Sequence, residues 1–197
     1  MTKVLEMKSF SSIDLEDHFF DSLKKDYDGF EKWFHKKGHE QAFVRYDEDN
    51  HLQGFLYLKD ESDSIDDKIK PLMPPKKRLK VGTFKIDAHS TRLGERFVKK
   101  IMDKGIYEGY EEAYVTIFPK QDGLIRLLKK FGFKDYGTKG EELVLVKDFK
   151  NLTGDNIKDY PLIQPRGKRK FLLAIYPLYH TPLFSDSILK NEERKVD

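Results

Sequence analysis

The feature that most constrains this chain is a junction in its middle, where a strand-like run passes into a helix-like one. Residues 81–86 form a short apolar, β-type run, and residues 93–102 repeat apolar side chains at helical spacing. Gly94 marks the turn between them. A strand that ends in a tight turn and opens a helix presents unpaired N–H groups and the positive end of the helix dipole. The junction therefore predicts a strand–turn–helix unit. Two readings of its turn stay open, an ordinary loop or a site for an anion such as a phosphate, with charge added by Arg92 and Arg96.

Composition indicates a globular protein without cysteine chemistry. The chain has 197 residues, of which 38% are hydrophobic and 13% aromatic, and it contains no cysteine. That aromatic content is unlike a disordered chain, and the missing cysteines exclude disulfides, zinc–thiolate sites and cysteine nucleophiles. No run approaches the roughly 18 apolar residues of a membrane span, and the first residues lack the apolar core of a signal peptide. We therefore expect a cytoplasmic protein without a membrane partner.

Charge is unevenly distributed, although the net charge is only +3. Residues 47–67 hold eight acidic side chains and one lysine, whereas residues 76–100 hold nine lysines and arginines and two acidic side chains. Two readings stay open for the basic segment, which contains the candidate phosphate turn. It suits an anionic ligand, and it equally fits a solvated polar face.

The pattern of the remaining chain predicts alternating helices and strands. Residues 59–77 are polar, acidic and rich in proline at their end, and they predict a long loop. The other predicted elements are helices at 13–37 with a break at Asp28-Gly29, a hairpin of 42–46 and 52–58, a strand at 79–86, a helix at 93–104, a strand at 113–118, a helix at 122–130, and, after a turn, the strand "ELVLV".

The predicted domain organisation separates residues 1–150 from residues 151–197. From residue 151 the chain becomes turn-rich and basic. Some forty residues are too few for a robust core of their own. We expect this C-terminal extension to pack on the main domain or to lead to a further domain outside this chain.

The order of the predicted helices and strands, together with two motifs, resembles the GCN5-related N-acetyltransferase (GNAT) superfamily over roughly residues 10–150. The family's pyrophosphate turn, R/Q-x-x-G-x-G/A, corresponds to His89 through Arg92 to Gly94, where only Gly94 agrees. The family's N-x-x-A-x-x-L-Y-x-x-x-G-F motif corresponds to "QDGLIRLLKKFGF", in which Gln121 replaces Asn and Leu128 replaces Tyr.

The resemblance implies an α+β (mixed α/β) fold with a twisted, largely antiparallel sheet, splayed central strands and flanking helices. It also implies that acetyl-CoA is the co-substrate, lying between strands at 81–86 and 113–118. An amine of unknown class would attack the thioester directly. By position, the residues implied to contact acetyl-CoA are Phe84, Lys85, Ile86, Thr91, Arg92, Leu93, Gly94, Glu95, Arg96 and Gln121.

Catalytic residues are less well specified by the resemblance. Leu128 stands where many members have a general-acid tyrosine, so another tyrosine is needed, and Tyr136 is the first candidate. Asp87 and Lys85, at the end of a predicted strand, are candidates for the general base. Each of these residues also fits a purely structural role. A thiol has a pKa of about 8.5, so loss of the tyrosine weakens fast catalysis without excluding it.

Alternative functions remain open at this point. Glu31, His35 and His39 are spaced like metal ligands but lack the H-E-x-x-H pattern, so no metal is expected. The chain is expected to be an active N-acetyltransferase or, alternatively, a non-catalytic GNAT-fold module that binds CoA or a partner. The basic clusters at 76–80 and 166–170 allow a third reading, in which the protein contacts RNA or DNA.

Overall fold

The computed structural model describes residues 5–62, 66–87 and 92–150, and these form a mixed α+β fold around one open sheet. The strands are β1 Glu6–Ser9, β2 Gln41–Tyr46, β3 Leu52–Asp60, β4 Ile69–Lys70, β5 Arg78–Ile86, β6 Glu112–Ile117, β7 Lys134–Lys139 and β8 Glu142–Asp148. The helices are α1 Asp21–Asp26, α2 Phe30–Lys36, α3 Leu93–Tyr107 and α4 Asp122–Lys130, with two short 3-10 turns before α1.

The sheet is largely antiparallel and confirms the predicted fold class. Its strand order is β1-β2-β3-β5-β6-β8-β7-β4. The pair β5–β6 is parallel, while the other neighbouring pairs run antiparallel. The β5–β6 connection contains α3, as a parallel pair requires a long crossover. The predicted strand–turn–helix junction is therefore the crossover that leaves the centre of the sheet.

Most predicted elements are present, and the errors fall where the sequence pattern is weakest. The hairpin, the helices α3 and α4 and the strands β5, β6 and β8 are confirmed. The prediction of one loop over residues 59–77 was wrong at its start, which extends β3, and at β4. Both β1 and β7 were missed, since β1 has four residues and β7 (KDYGTK) is polar and mostly exposed or half-buried. The predicted C-terminal extension, 151–197, lies outside the described residues.

The two faces of the sheet carry separate hydrophobic cores. On one face, α3 and α4 pack through Phe97, Ile101 and Leu128 against β3, β5, β6 and β8. On the other face, α1 and α2 cover the β2–β3 half in an aromatic core that includes Phe20 and Phe34. A smaller core with Ile69, Met73, Tyr114 and Val144 covers the β6–β8 half of that face. On this face, the β5–β6 region lies between the aromatic core and the smaller core.

Helices in the described residues do not include any with the length and apolarity needed to cross a lipid bilayer.

Close packing of α3 on the sheet depends on a glycine in β3. A Cβ atom placed on Gly54 would lie 2.4 Å from Cε2 of Phe97, whose side chain is fully buried. By contrast, a Cβ on Gly123, in the first turn of α4, would meet nothing within 4 Å.

We therefore expect opposite effects on stability from two glycine substitutions. Gly54→Ala should destabilise the fold by about 1–3 kcal/mol, because a buried ring must move to admit the methyl group. Gly123→Ala should stabilise it by about 0.4–1 kcal/mol, because the alanine restricts the unfolded chain without a clash. Urea denaturation of both variants measures the difference. Equal effects of the two substitutions would contradict the packing described.

Candidate functional site

The central strands β5 and β6 are joined at one end and separate at the other. Their parallel pairing runs from Arg78 opposite Glu112 to Val81 opposite Val115, and within the described residues it goes no further. β5 continues to Ile86, paired only with β3 on its other side. The strands therefore form a V-shaped opening in the middle of the sheet.

A buried ion pair fixes the closed end of the opening. Arg78 Nε donates to Glu112 Oε1 at 2.7 Å, and Arg78 Nη2 donates to the Pro74 carbonyl at 2.7 Å. Lys76 Nζ donates to the second Glu112 oxygen at 2.6 Å. The Arg78 and Glu112 side chains are 3% and 6% exposed. Through these bonds the Glu112 carboxylate binds both Arg78 and Lys76, so side chains as well as the sheet link the first residues of β5 and β6.

Beyond the last β5–β6 pair, the inner edge of β5 presents backbone hydrogen-bonding groups to the opening. The Asp87 N–H donates to the Gln53 carbonyl at 3.1 Å, which makes this a hydrogen-bonded antiparallel pair. Such pairs alternate along a ladder, so Lys85 is hydrogen-bonded to Phe55 in the same way. The N–H and C=O groups of Phe84 and Ile86 therefore point away from β3, toward the opening.

A bulge in β5 lies where the strands begin to separate. The β3–β5 register shifts between Tyr57 and Leu58, which face Thr83 and Val81, so Gly82 is the extra residue. A Cβ on Gly82 would lie 2.6 Å from the Tyr57 ring. Glycine at this position therefore lets the Tyr57 ring lie against β5 at the point where β5 and β6 begin to separate.

The first turn of α3 follows the open end of β5. Arg92 occupies the N-cap position and provides no side-chain cap. The Arg96 N–H bonds to the Arg92 carbonyl at 3.2 Å, as expected for a helix that begins at Leu93. The predicted contact residue Thr91, with His89 of the family turn, lies outside the described residues.

Gly94 and Glu95 in this turn have packing roles that the sequence analysis did not foresee. A Cβ on Gly94 would lie 2.6 Å from Leu127 Cδ2 and 3.1 Å from Ile86 Cδ1, so the glycine admits α4 and β5. The Glu95 carboxylate accepts a bond from Lys130 Nζ at 2.6 Å, and this bond holds the pKa of Glu95 below its ordinary value. These contacts tie the start of α3 to the end of α4.

A cleft of about 430 Å³ passes through the opening. Val81, Phe84, Val115, Ile117 and Leu124, which belong to or pack against the α3–α4 core, line it from one face of the sheet. From the other face it is lined by Leu23, Tyr27, Phe30, Trp33 and Tyr57, and by charged side chains of β3, β5, β7 and β8. Because both faces contribute to the wall, ligands on opposite sides of the sheet can meet in the opening.

Lys59, Glu61 and Lys80 line one part of the cleft, which we call the lysine-rich floor. Glu61 Oε1 accepts bonds from Lys59 Nζ at 3.0 Å and Lys80 Nζ at 3.2 Å, and Glu61 Oε2 accepts the Tyr114 hydroxyl. Burial alone would raise the pKa of Glu61, but the bonds from Tyr114 and Lys59 hold it below its ordinary value. Glu61 is therefore an ionised and fully engaged carboxylate.

A second carboxylate, Glu142, lies on the wall of the cleft at the start of β8. The Tyr27 hydroxyl donates to Glu142 Oε1 at 3.2 Å, and the Tyr27 ring packs against Phe118. Burial and the adjacent Glu142 carboxylate raise the pKa of Tyr27, so its hydroxyl keeps its proton. Gln121, the predicted contact residue at the start of α4, also lines the cleft. The sequence analysis missed Tyr27 and Glu142, which are 115 residues apart.

The candidate acid and base residues make contacts within the fold, and Leu128 packs in the core, as its place on the apolar side of its helix predicts. Tyr136 is not among the described residues that line the cleft, and its hydroxyl donates to the Leu72 carbonyl at 3.1 Å. Leu128 is fully buried in the α3–α4 core. Lys85 Nζ turns to Ser22 Oγ at 2.8 Å and lies 3.5 Å from Asp87 Oδ1. Neither Lys85 nor Asp87 is among the described lining residues of the cleft.

The basic cluster at 76–80 is engaged within the fold. Lys76 and Arg78 bind Glu112, Lys77 donates to the Glu108 carbonyl, and Lys80 binds Glu61. The second basic cluster, 166–170, lies outside the described residues. Among His, Asp and Glu side chains in the part of the chain that the structure describes, no group of three or more is placed to hold a metal ion.

Comparison with solved structures finds the same architecture. The chain is similar to a GNAT-family acetyltransferase of Staphylococcus aureus, with 10% identity and a TM-score of 0.56 over 75% of this chain and 100% of that one. It is similar to PH1933 of Pyrococcus horikoshii, with 19% identity and a TM-score of 0.53 over 75% and 99%. Arabidopsis thaliana NAA60, solved in complex with acetyl-CoA, gives 15% identity and a TM-score of 0.51 over 75% and 100%.

No protein-family model and no curated protein sequence match the chain. The similarity therefore lies in the three-dimensional arrangement, which includes a mostly antiparallel open sheet with four helices. Neighbours of this architecture are mostly GNAT acetyltransferases. The chain has the fold of the GCN5-related N-acetyltransferase superfamily.

Proposed function

We propose that this protein is an acetyl-CoA-dependent N-acetyltransferase that moves an acetyl group to an amine by direct attack on the thioester. The observation that carries the proposal is the cleft that passes through the opening between β5 and β6. A thioester entering from the α3–α4 face and an amine entering from the α1–α2 face reach each other there. Holding two reactants in this way supplies much of the rate enhancement of a group transfer.

The inner edge of β5 and the start of α3 fit the two polar parts of acetyl-CoA. The free N–H and C=O groups of Phe84 and Ile86 can pair with the amides of the pantetheine arm, as an added strand would. The pyrophosphate then falls at the first turn of α3, from Arg92 to Arg96, where the helix dipole favours an anion. Arg92 supplies charge where the family usually has a glycine.

Chemistry at the opening requires few side chains. The amine nitrogen bonds to the carbonyl carbon of the thioester, the C–S bond breaks, and the thiolate of CoA leaves. Backbone N–H groups at the β5 bulge around Gly82 stabilise the negative charge that develops on the carbonyl oxygen. Many family members have a general-acid tyrosine at the position of Leu128. Because a thiol has a pKa of about 8.5, the thiolate can leave without such an acid.

The proton lost by the amine goes to Glu142 in this proposal. Glu61 is already engaged by two lysines and a tyrosine, and Asp87 is not among the described residues that line the cleft. Glu142 lines the cleft and accepts a hydrogen bond from Tyr27. A positioned carboxylate of this kind typically contributes 10²–10⁴-fold to the rate.

Similarity to solved acetyltransferases supports the proposal. The Staphylococcus aureus neighbour is a GNAT-family acetyltransferase, and the Arabidopsis neighbour binds acetyl-CoA. These neighbours share the overall fold, and they do not identify the amine acceptor.

Thermal unfolding with acetyl-CoA tests the binding part of the proposal. Ligand at 100 times its Kd should stabilise the protein by about 2.7 kcal/mol and raise its Tm. Arg92→Glu should weaken binding, because it places negative charge where the pyrophosphate lies. Lys129→Glu makes the same charge change at the far end of α4 and should leave binding unchanged.

Absence of a Tm shift at millimolar acetyl-CoA or CoA would contradict the proposal. Equal affinity of Arg92→Glu and Lys129→Glu for acetyl-CoA would mean that the pyrophosphate lies elsewhere.

Substitution of Glu142 tests the chemical step. Glu142→Gln should lower kcat for thiol release by about 10²–10⁴-fold on an accepted amine, while the Kd for acetyl-CoA stays near that of the native protein. Glu141→Gln is the matched control, because the neighbouring side chain is exposed in the β7–β8 turn and is not among the described residues that line the cleft.

An unchanged kcat in Glu142→Gln would exclude Glu142 as the proton acceptor. A protein that binds acetyl-CoA and releases no thiol with any amine would instead be the non-catalytic CoA-binding module.

A further inference from the structure

The lysine-rich floor of the cleft carries more positive than negative charge. Lys59 and Lys80 converge on a single oxygen of Glu61, at 3.0 and 3.2 Å. The other Glu61 oxygen accepts the neutral Tyr114 hydroxyl. Two ammonium groups thus share one carboxylate, which leaves one positive charge at the floor.

Nearby lysines are matched one to one and do not alter this balance. Lys139 binds Asp66 at 2.7 Å, and Lys37 binds Glu40 at 2.6 Å. Glu40 also lies near Lys59, and Asp66 near Lys80. The excess of one positive charge is therefore shared by the four lysines, Lys37, Lys59, Lys80 and Lys139, which face Glu40, Glu61 and Asp66.

Burial makes the Lys80 charge costly in the absence of a ligand, whereas the Lys59 side chain is 43% exposed and stays in contact with solvent. The Lys80 side chain is 18% exposed, and its ammonium lies 5.4 Å from the centre of the Tyr114 ring. An ammonium has three N–H donors, and the bond to Glu61 uses one of them. Since Lys80 and Lys59 both line the cleft, their remaining donors are placed to meet an anionic group there. A single excess charge matches a carboxylate better than a phosphate dianion.

The cleft also presents negative charge. Glu142 lines it with Tyr27 as its hydrogen-bond donor, and Asp28, which follows Tyr27 in the chain, lines it too. A ligand with an ammonium group and a carboxylate would find a complementary charge for each.

Aromatic side chains form the wall above the charged floor. Phe30, Trp33 and Tyr57 line the cleft on the α2 side, with rings in edge or tilted contact. The whole cleft, at about 430 Å³, is within the range of small-molecule sites. Its acceptor side therefore suits a small molecule with an apolar side chain.

The floor lies close to the proposed position of the reaction. Lys80 precedes the bulge residue Gly82 by two residues, which corresponds to about 7 Å along a strand. A carboxylate bound by Lys80 would therefore place an amine on the adjacent carbon near the bulge.

We propose that the acceptor is an α-amino acid with an apolar side chain, whose carboxylate binds Lys59 and Lys80 while the side chain packs on Phe30 and Trp33. This inference rests on the proposed acetyltransferase function and names its substrate class. In this proposal Lys59 and Lys80 determine specificity, because they bind the carboxylate. The reacting amine and thioester contact the edge of β5 and Glu142 instead.

Matched pairs of amines test the inference. We would measure kcat/KM for thiol release from acetyl-CoA with leucine, methionine and phenylalanine, and with the amide of each. The amino acids should be preferred about tenfold or more, because the amide lacks the charge that the lysines bind. The α-amine of the amide loses its proton more readily than that of the amino acid, so the amide is intrinsically the more reactive compound. A preference for the amino acid would therefore have to come from binding. Tm shifts of the CoA-loaded protein with the same compounds report binding without catalysis.

Variants of the lysines complete the test. Lys80→Gln and Lys59→Gln should each reduce the preference for the carboxylate, and the double variant should abolish it. Lys129→Gln, at a lysine paired with Asp135 outside the cleft, should retain it. Amides used as well as amino acids, or amino acids that neither react nor stabilise the CoA-loaded protein, would overturn the inference. If other amines, such as peptide or aminoacyl-ester amines, were then acetylated, the acetyltransferase function would stand without it.

Discussion

The ion pair between Arg78 and Glu112 is the constraint on which the site depends. It lies at the first residue of each central strand, where the strands are parallel and hydrogen-bonded. Removing Glu112 would leave the buried Arg78 guanidinium without its carboxylate, a change that typically costs about 3–5 kcal/mol. Past Val81 and Val115, β5 follows β3 and β6 follows β8. The V-shaped opening results because β5 and β6 are joined at their first residues and then each follows a different neighbouring strand.

In the proposed acetyl transfer, the groups that bind and polarise acetyl-CoA come mainly from the backbone. The edge of β5, the bulge at Gly82 and the first turn of α3 are all main-chain features, and they do not depend on a particular side chain at most positions. In the proposal, side chains act mainly on the acceptor, through the lysine-rich floor and the aromatic wall.

The sequence predicts the local elements well and the acceptor side poorly, for a physical reason. The helices at α3 and α4 follow from apolar side chains such as Phe97, Ile101 and Leu128, which recur at helical spacing and are buried. The strand β7 escapes detection because its residues are polar and its partner β4 is two residues long. Contacts such as Tyr27 with Glu142 join distant segments, and no local pattern encodes them. Tyr136, the first candidate to replace the missing general-acid tyrosine, donates its hydroxyl to the Leu72 carbonyl, a contact that the sequence does not reveal.

Amide hydrogen exchange in the presence and absence of acetyl-CoA tests the central claim most directly. If the inner edge of β5 binds the pantetheine arm, exchange at Phe84 and Ile86 should slow markedly with acetyl-CoA. The amide of Lys85, already bonded to β3, should change much less. Acetyl-CoA that binds and leaves exchange at Phe84 and Ile86 unchanged would contradict the account.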